Sequence, residues 1–158
     1  MAGAANIAGT DMTNDILSTK SWRPRIAGIV AAPVTRTFAL LALCAAYIQG
    51  PLTKLFDFQS AIGEMEHFGL HPAAFFAVAV IVFELTASAM ILSGFLRWLA
   101  ALALAGFTLF ATLIALRFWE MPPGMDRIMA TNAFFEHLGL AGAFIIVAAN
   151  DLTKGACK

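Results

Sequence analysis

One acidic side chain stands inside an otherwise apolar stretch and is the residue best placed to do chemistry. Glu84 lies near the middle of residues 73–93, a run of about the 20 residues that cross the roughly 30 Å hydrocarbon core of a bilayer. Ser88 follows one helical turn later on the same face. A charge at the bilayer centre costs roughly 2.5–3.5 kcal/mol, so Glu84 must face other helices. The pattern predicts either a proton- or ligand-binding site or a structural hydrogen bond.

A second group of polar residues falls at the ends of the apolar runs, where Glu84 would be reached from water. The group comprises Lys54, Asp57, Arg117, Glu120, Glu136 and His137. Long side chains such as Arg117 or Lys54 can reach toward Glu84, and a histidine can pass protons near neutral pH. The alternative is ordinary anchoring of each charge in the membrane interface.

From these residues we expect a site with two classes of side chain. The catalytic candidates are Glu84 and His137. The ligand-binding candidates are Lys54, Asp57, Ser88, Arg117 and Glu136. A metal site is not expected: His67 and His71 have helical ligand spacing after Glu64, but Gly69 between them and Pro72 after them interrupt the helix.

The composition indicates a membrane protein. Of 158 residues, 60% are apolar and 13% are charged, with a mean hydropathy of +0.80; this charged share is about half that of a soluble domain. A soluble fold of this length could not bury so much apolar surface, so the lipid bilayer is the expected solvent. The net charge of zero gives no indication of a nucleic-acid partner. Cys44 and Cys157 are expected at different depths, which argues against a disulfide between them.

The apolar runs predict an all-α fold, an integral membrane four-helix bundle with a short interfacial helix between helices one and two. The predicted spans are residues 34–55, 73–93, 96–117 and 133–149. We expect Asp57 to cap the interfacial helix, Gly69 to end it, and Pro72 to open the second span. In the third span, small residues recur at steps of four and three, the pattern that lets membrane helices approach closely; they are Ala101, Ala105, Thr108, Thr112 and Ala115.

The fourth span carries its own expected features. Asn132 can cap this helix, and Gly139 and Gly142 offer a second close-packing face. The expected organisation is therefore an N-terminal cytoplasmic tail at 1–33, a transmembrane domain at 34–150 and a C-terminal tail at 151–158. The side of the termini holds seven basic residues and the other side three, which predicts cytoplasmic termini. A cleaved signal peptide near residues 21–36 is the alternative for the start of the chain.

Several short motifs, taken together and in order, resemble the DoxX family of bacterial membrane proteins over about residues 35–149. They are Gly50…Lys54-Leu55-Phe56-Asp57-Phe58, Gly69-Leu70-His71-Pro72, Glu84-Leu85, Leu92-Ser93-Gly94, Arg117-Phe118-Trp119 and Asn132…Phe135-Glu136-His137-Leu138-Gly139. The chain departs from that pattern in two places. Leu116 stands where relatives often carry a histidine, and the spacing from Gly50 to Lys54 is one residue longer than is common.

The resemblance implies a four-helix protein of the bacterial inner membrane with a link to redox biology. The family is named for a subunit of a thiosulfate:quinone oxidoreductase, and some members are associated with oxidative-stress partners. It implies at most a subunit of a membrane oxidoreductase, with quinone as the candidate cofactor and a redox protein or a second copy as partner. The alternatives are a non-enzymatic adaptor that holds a partner protein, or a small-solute or proton pathway.

Overall fold

A computed structural model describes residues 24–156, and throughout this range the regular structure is helical. Four of its helices are long and apolar enough to cross a membrane, as expected for a four-helix membrane bundle. The elements are α1 (Pro33–Phe56), α2 (Phe58–His67), α3 (Ala73–Ser93), α4 (Arg97–Ala115), a 3₁₀ turn (Phe118–Glu120) and α5 (Met125–Ala156). Residues 1–23 of the predicted tail, and residues 157–158, lie outside the described residues.

The described part of the chain divides into two units, residues 24–39 and residues 40–156. In the first unit, residues 24–31 are helical and α1 begins at Pro33 after a break at Ala32. The Thr35 hydroxyl donates to the Ile29 carbonyl at 2.7 Å across this break. Proline lacks a backbone N–H and fits the first turn of a helix, which explains why α1 starts there.

The start and the end of α2 follow the sequence prediction. The Asp57 carboxylate accepts a hydrogen bond from the Ser60 backbone N–H at 3.1 Å, which caps the helix. Gly69 has φ +71°, and the Leu70 N–H donates to the Met65 carbonyl at 2.9 Å. This i to i−5 bond after a left-handed glycine ends the helix before His71. The helix packs on α3 through Ala61 and Met65.

The turn between α3 and α4 is held by an arginine. Gly94, at φ +87°, ends α3, and the Arg97 guanidinium folds back to donate from Nε to the Ile91 carbonyl at 2.7 Å. A Cβ at position 94 would meet that guanidinium at 3.0 Å, so glycine leaves room as well as supplying the turn. Arg97 also lies 3.6 Å from the Asp151 carboxylate. This contact ties the turn to α5.

A single core joins the four long helices of the second unit. Small residues let the backbones approach closely, and larger side chains fill the space between them. Its buried residues are Leu40, Cys44, Tyr47, Ala87, Ile91, Ala100, Ala101, Leu104, Ala105, Ala141, Phe144 and Ala148. Large apolar side chains such as Phe38, Phe75, Phe110 and Ile146 stand on the outside. This inversion of a soluble surface is typical of helices in lipid.

The small-residue stripe of α4 is confirmed in four of its five positions. Ala101, Ala105, Thr108 and Thr112 are all buried, whereas Ala115 at the end of the helix is exposed. The glycine face predicted for the fourth span is wrong: a Cβ at Gly139 or Gly142 would have no neighbour within 4 Å. The close contacts of α5 are instead made by its alanines, with Phe144 fully buried between them.

The fourth span is also longer at both ends than the sequence predicted. It begins at Met125, directly after the Pro122-Pro123-Gly124 turn, so Asn132 is an interior residue and not a cap. Asp126 stands in the first turn, where a negative charge favours the helix dipole. At the other end Asp151 pairs with Arg97, and the helix continues to Ala156 through part of the predicted tail.

The stripe gives a stability prediction. Ala101 is fully buried between helices, so Ala101→Leu should lower the free energy of unfolding by about 1–3 kcal/mol through overpacking. The same change at exposed Ala115 is the control and should be near neutral. Thermal unfolding of both variants in one detergent tests this; equal melting temperatures would contradict the packing described.

Candidate functional site

Glu84 is half-buried in the middle of α3 and does not lie on the outer wall of the bundle. The groups that act on its charge are Lys54 and Glu64, and it acts in turn on Tyr47. Among the described residues no side chain or backbone group makes a hydrogen bond to its carboxylate. Glu84 is thus an intramembrane acid with charged neighbours and free hydrogen-bonding capacity.

Lys54 and Glu64 form an ion pair near Glu84. Lys54 Nζ lies 2.9 Å from a carboxylate oxygen of Glu64, joining the last turn of α1 to the interfacial helix α2. The lysine side chain is 22% exposed and the glutamate 43%, so this pair contributes modestly to stability. Lys54 therefore interacts with two carboxylates: it forms an ion pair with Glu64, and its charge also acts on Glu84.

Tyr47 is fixed by a hydrogen bond that crosses the core. Its hydroxyl lies 2.5 Å from Thr108 Oγ1, and that hydroxyl lies 2.6 Å from the Leu104 carbonyl. A threonine hydroxyl has one proton, and the carbonyl can only accept, so Tyr47 donates to Thr108. The phenolic oxygen of Tyr47 is left with its acceptor capacity unused.

Ser88 lies one turn along α3 from Glu84, as the spacing predicts, but the two do not hydrogen-bond. Its side chain is 1% exposed and lies beside the buried Cys44 thiol. No group in the described part of the chain gives the Ser88 hydroxyl a hydrogen bond of acceptable geometry. The structure therefore separates Glu84 and Ser88 into two polar positions on one helix.

His137 joins α5 to α4 by a side-chain hydrogen bond. Its Nδ1 lies 3.0 Å from the hydroxyl of Thr112, which is buried one turn beyond Thr108 on α4. The neighbouring Glu136 points outward and is exposed. His137 is therefore the inward-facing member of this pair, in contact with the small-residue stripe.

The remaining predicted site residues have partners of their own. Arg117 lies 3.4 Å from Glu120, and both are more than half exposed, so Arg117 does not reach toward Glu84. Asp57 caps α2. Of the polar group predicted around the acid, the structure brings Lys54 to Glu84 and leaves Asp57, Arg117 and Glu136 at the surface.

Two residues that interact with Glu84, Tyr47 and Glu64, were not among the site residues predicted from the sequence. Tyr47 is the one tyrosine of the chain, and it falls on the inner face of α1 at positions 40, 44 and 47, the i, i+4, i+7 spacing of a helix. That spacing could have found it. Glu64 could not be found in this way, because its contact with Lys54 joins two different helices and depends on how α1 and α2 are placed.

Four spanning helices, an interfacial helix and an acid facing the interior define a multi-pass α-helical membrane protein. The comparison with family models gives the family: the DoxX model matches residues 36–117, just over half of the chain. The chain belongs to the DoxX family. The matched region contains Lys54, Glu84 and Arg117, and it ends before α5. No curated protein and no solved structure matched the chain.

The bond between Tyr47 and Thr108 should be measurable as a coupling energy. In a double-mutant cycle with Tyr47→Phe and Thr108→Val, we expect about 0.5–1.5 kcal/mol of coupling in the free energy of unfolding. The cycle with Thr112→Val is the control and should give a coupling near zero. Equal coupling in the two cycles would show that the cross-core bond is absent.

Proposed function

We propose that this DoxX-family protein is a membrane subunit linked to quinone redox chemistry, with Glu84 as its proton-carrying group. The observation that carries the proposal is the position of that acid. It lies inside a membrane bundle, without a hydrogen bond from any described residue, close to the Lys54–Glu64 pair. An ionisable residue within the membrane is by default a candidate for proton or ligand chemistry.

Quinone chemistry gives such an acid a defined task. Reduction of a quinone to a quinol takes two electrons and two protons. In the proposed role a partner redox protein supplies both electrons. Glu84 delivers the two protons one after the other, and its carboxylate is reprotonated from water past Lys54 and Glu64 after each transfer. The family resemblance supports the same direction, since its name comes from a thiosulfate:quinone oxidoreductase subunit.

The pathway alternative has less support from the geometry. A small-solute pathway would need a polar cavity that leads to Glu84. Two grooves on the second unit are lined mainly by apolar residues, with Thr86 in one and Gln49 and Thr53 in the other, and neither includes Glu84. The adaptor alternative predicts a stable partner complex that survives loss of the acid, and the experiment below separates it from the redox role.

Glu84→Gln keeps the shape of the side chain and removes its exchangeable proton. The assay uses membranes from cells that lack the native chain, in which the wild type should restore thiosulfate-dependent quinone reduction. Glu84→Gln should lower the rate of this reduction at least tenfold, since proton transfer by a side chain typically contributes about 10²–10⁴-fold. Glu66→Gln, at an exposed acid of α2, is the matched control and should retain the wild-type rate.

Two outcomes would count against this role. A Glu84→Gln variant with the wild-type rate would remove the acid from the mechanism. The adaptor role would be favoured by two results together: the wild type restores no quinone reduction, and crosslinking still finds an intact partner complex in Glu84→Ala membranes.

We further propose that the protein lies in the bacterial inner membrane with both termini in the cytoplasm. The basic residues support this orientation, since the side of the termini carries the larger number. A green fluorescent protein fused after the last residue should fluoresce, and alkaline phosphatase fused after Pro123 should be active. The reverse pattern of reporter activity would show that both termini lie outside the cytoplasm.

A further inference from the structure

The outer wall of the bundle carries a polar side chain that the proposed role of Glu84 does not use. α1 buries one face in the core, through Leu40, Cys44, Tyr47 and Pro51. Gln49 lies about 140–180° around the helix from each of these residues, and it is exposed. Its carboxamide therefore leaves the bundle on the side of α1 that faces lipid.

Gln49 also lies too deep in the membrane for water to solvate its amide. α1 has 24 residues and is about 36 Å long, so it exceeds the roughly 30 Å hydrocarbon core by about 3 Å at each end. Gln49 is seven residues before the end of the helix at Phe56, or about 10 Å along its axis. That places the residue about 7 Å inside the hydrocarbon, where a polar group without a partner is costly.

The helix itself satisfies only part of this amide. Gln49 Nε2 donates to Thr53 Oγ1 at 2.9 Å, and the Thr53 hydroxyl donates to the Gln49 backbone carbonyl at 3.1 Å. A carboxamide has two N–H donors and two acceptor positions on its oxygen. The second N–H and the oxygen Oε1 of Gln49 have no partner among the described residues, so a group outside this chain must supply one.

The exposed residues around Gln49 have the spacing of a seam between two helices. Ala42, Ala45, Gln49, Leu52 and Phe56 follow one another at steps of three and four, and all five are exposed. This is the seven-residue repeat by which left-handed helix pairs meet, and the two alanines allow the backbones to approach closely. These five residues are called the α1 seam below.

The chemistry of the α1 seam selects a second copy of the chain as the partner. Residues 41–53 carry no charged side chain, so the seam offers nothing to an ionic partner. A carboxamide both donates and accepts, so two glutamines related by a two-fold axis complete each other. Two copies inserted with the same orientation present α1 in parallel, and equivalent seam positions then face each other at one depth.

We infer that the protein forms a parallel dimer along the α1 seam, with the two Gln49 amides hydrogen-bonded to each other across the axis. A single polar residue in such a seam fixes the register and the number of helices that associate. The dimer does not rest on the proposed quinone link. Gln49 lies on the opposite side of α1 from Tyr47, so pairing leaves the core residues around Glu84 in place.

Association of the full chain in lipid vesicles tests the inference. Energy transfer between donor- and acceptor-labelled copies, measured over a range of protein-to-lipid ratios, gives the dissociation constant of the dimer. Gln49→Leu removes the amide and should raise this constant about 3- to 30-fold, as expected for an interhelical hydrogen bond in a membrane. Leucine is favourable in lipid, so the variant keeps its fold.

Gln59→Leu is the matched control, since it makes the same change at the other glutamine of the chain, which is exposed on α2. This variant should have the wild-type dissociation constant. If Gln49→Leu also keeps the wild-type constant, or if the wild type remains monomeric at every protein-to-lipid ratio, the inference is overturned.

Disulfide crosslinking in native membranes identifies the face through which the copies meet. In a Cys157→Ser background, Ala45→Cys should give a product of twice the chain mass on mild oxidation, because the parallel pair brings the two seam positions together. Val82→Cys, at an exposed position of α3, is the control and should stay monomeric. Equal crosslinking at both positions, no crosslinking at Ala45→Cys, or a product of another mass would contradict the dimer described here.

Discussion

Lipid offers no hydrogen bonds, and the interior of this bundle is organised around that constraint. Each polar side chain that faces inward must find its partner on another helix or within its own. The Tyr47 hydroxyl donates to Thr108, and His137 is hydrogen-bonded to Thr112. The Thr108 hydroxyl donates in turn to the Leu104 carbonyl of its own helix. Interhelical bonds of this kind are individually worth about 0.6 kcal/mol on average. Their larger effect is to fix which faces of the helices meet.

Against that background, the groups without a hydrogen bond stand out. Glu84, Ser88 and Thr86 lie within five positions on α3, and no described residue bonds to any of their side chains. Their surroundings differ: the charges of Lys54 and Glu64 act on Glu84, Ser88 lies beside Cys44, and Thr86 lines the groove beside α4. One turn and a half of α3 therefore carries three polar side chains that receive no hydrogen bond from the described residues.

The periodicity of the sequence was sufficient for most of the fold. Long apolar runs predict spanning helices, and Asp57 and Gly69 mark the two ends of α2, because capping and left-handed turns depend on single residues. The start of α5 was predicted eight residues too late, at 133. The polar residues before that position suggested a loop, whereas a helix can extend beyond the bilayer into water, where apolar periodicity no longer indicates its limits.

The candidate site was harder to predict than the helices. Membership of a face follows from spacing, so Glu84 and Ser88 were correctly placed on the inside of α3. The choice of partner depends on how helices rotate and how short segments fold back. Arg117 was expected to reach inward but pairs with Glu120 three residues away, because a nearby partner in the interface avoids moving a charge into lipid. Lys54 meets Glu64 across two helices, a pairing that spacing within one helix does not predict.

The Arg97 contacts restrict how this bundle can deform. The guanidinium joins the end of α3 to the start of α4 and holds Asp151 of α5, so three helices are fastened together at one end. At the opposite end the links are the partly exposed Lys54–Glu64 ion pair, which salt weakens, and the hydrogen bond between Thr112 and His137. The largely buried charge that joins three helices therefore lies at the end away from Lys54, Arg117 and His137, and the two ends of the bundle are held by different kinds of contact.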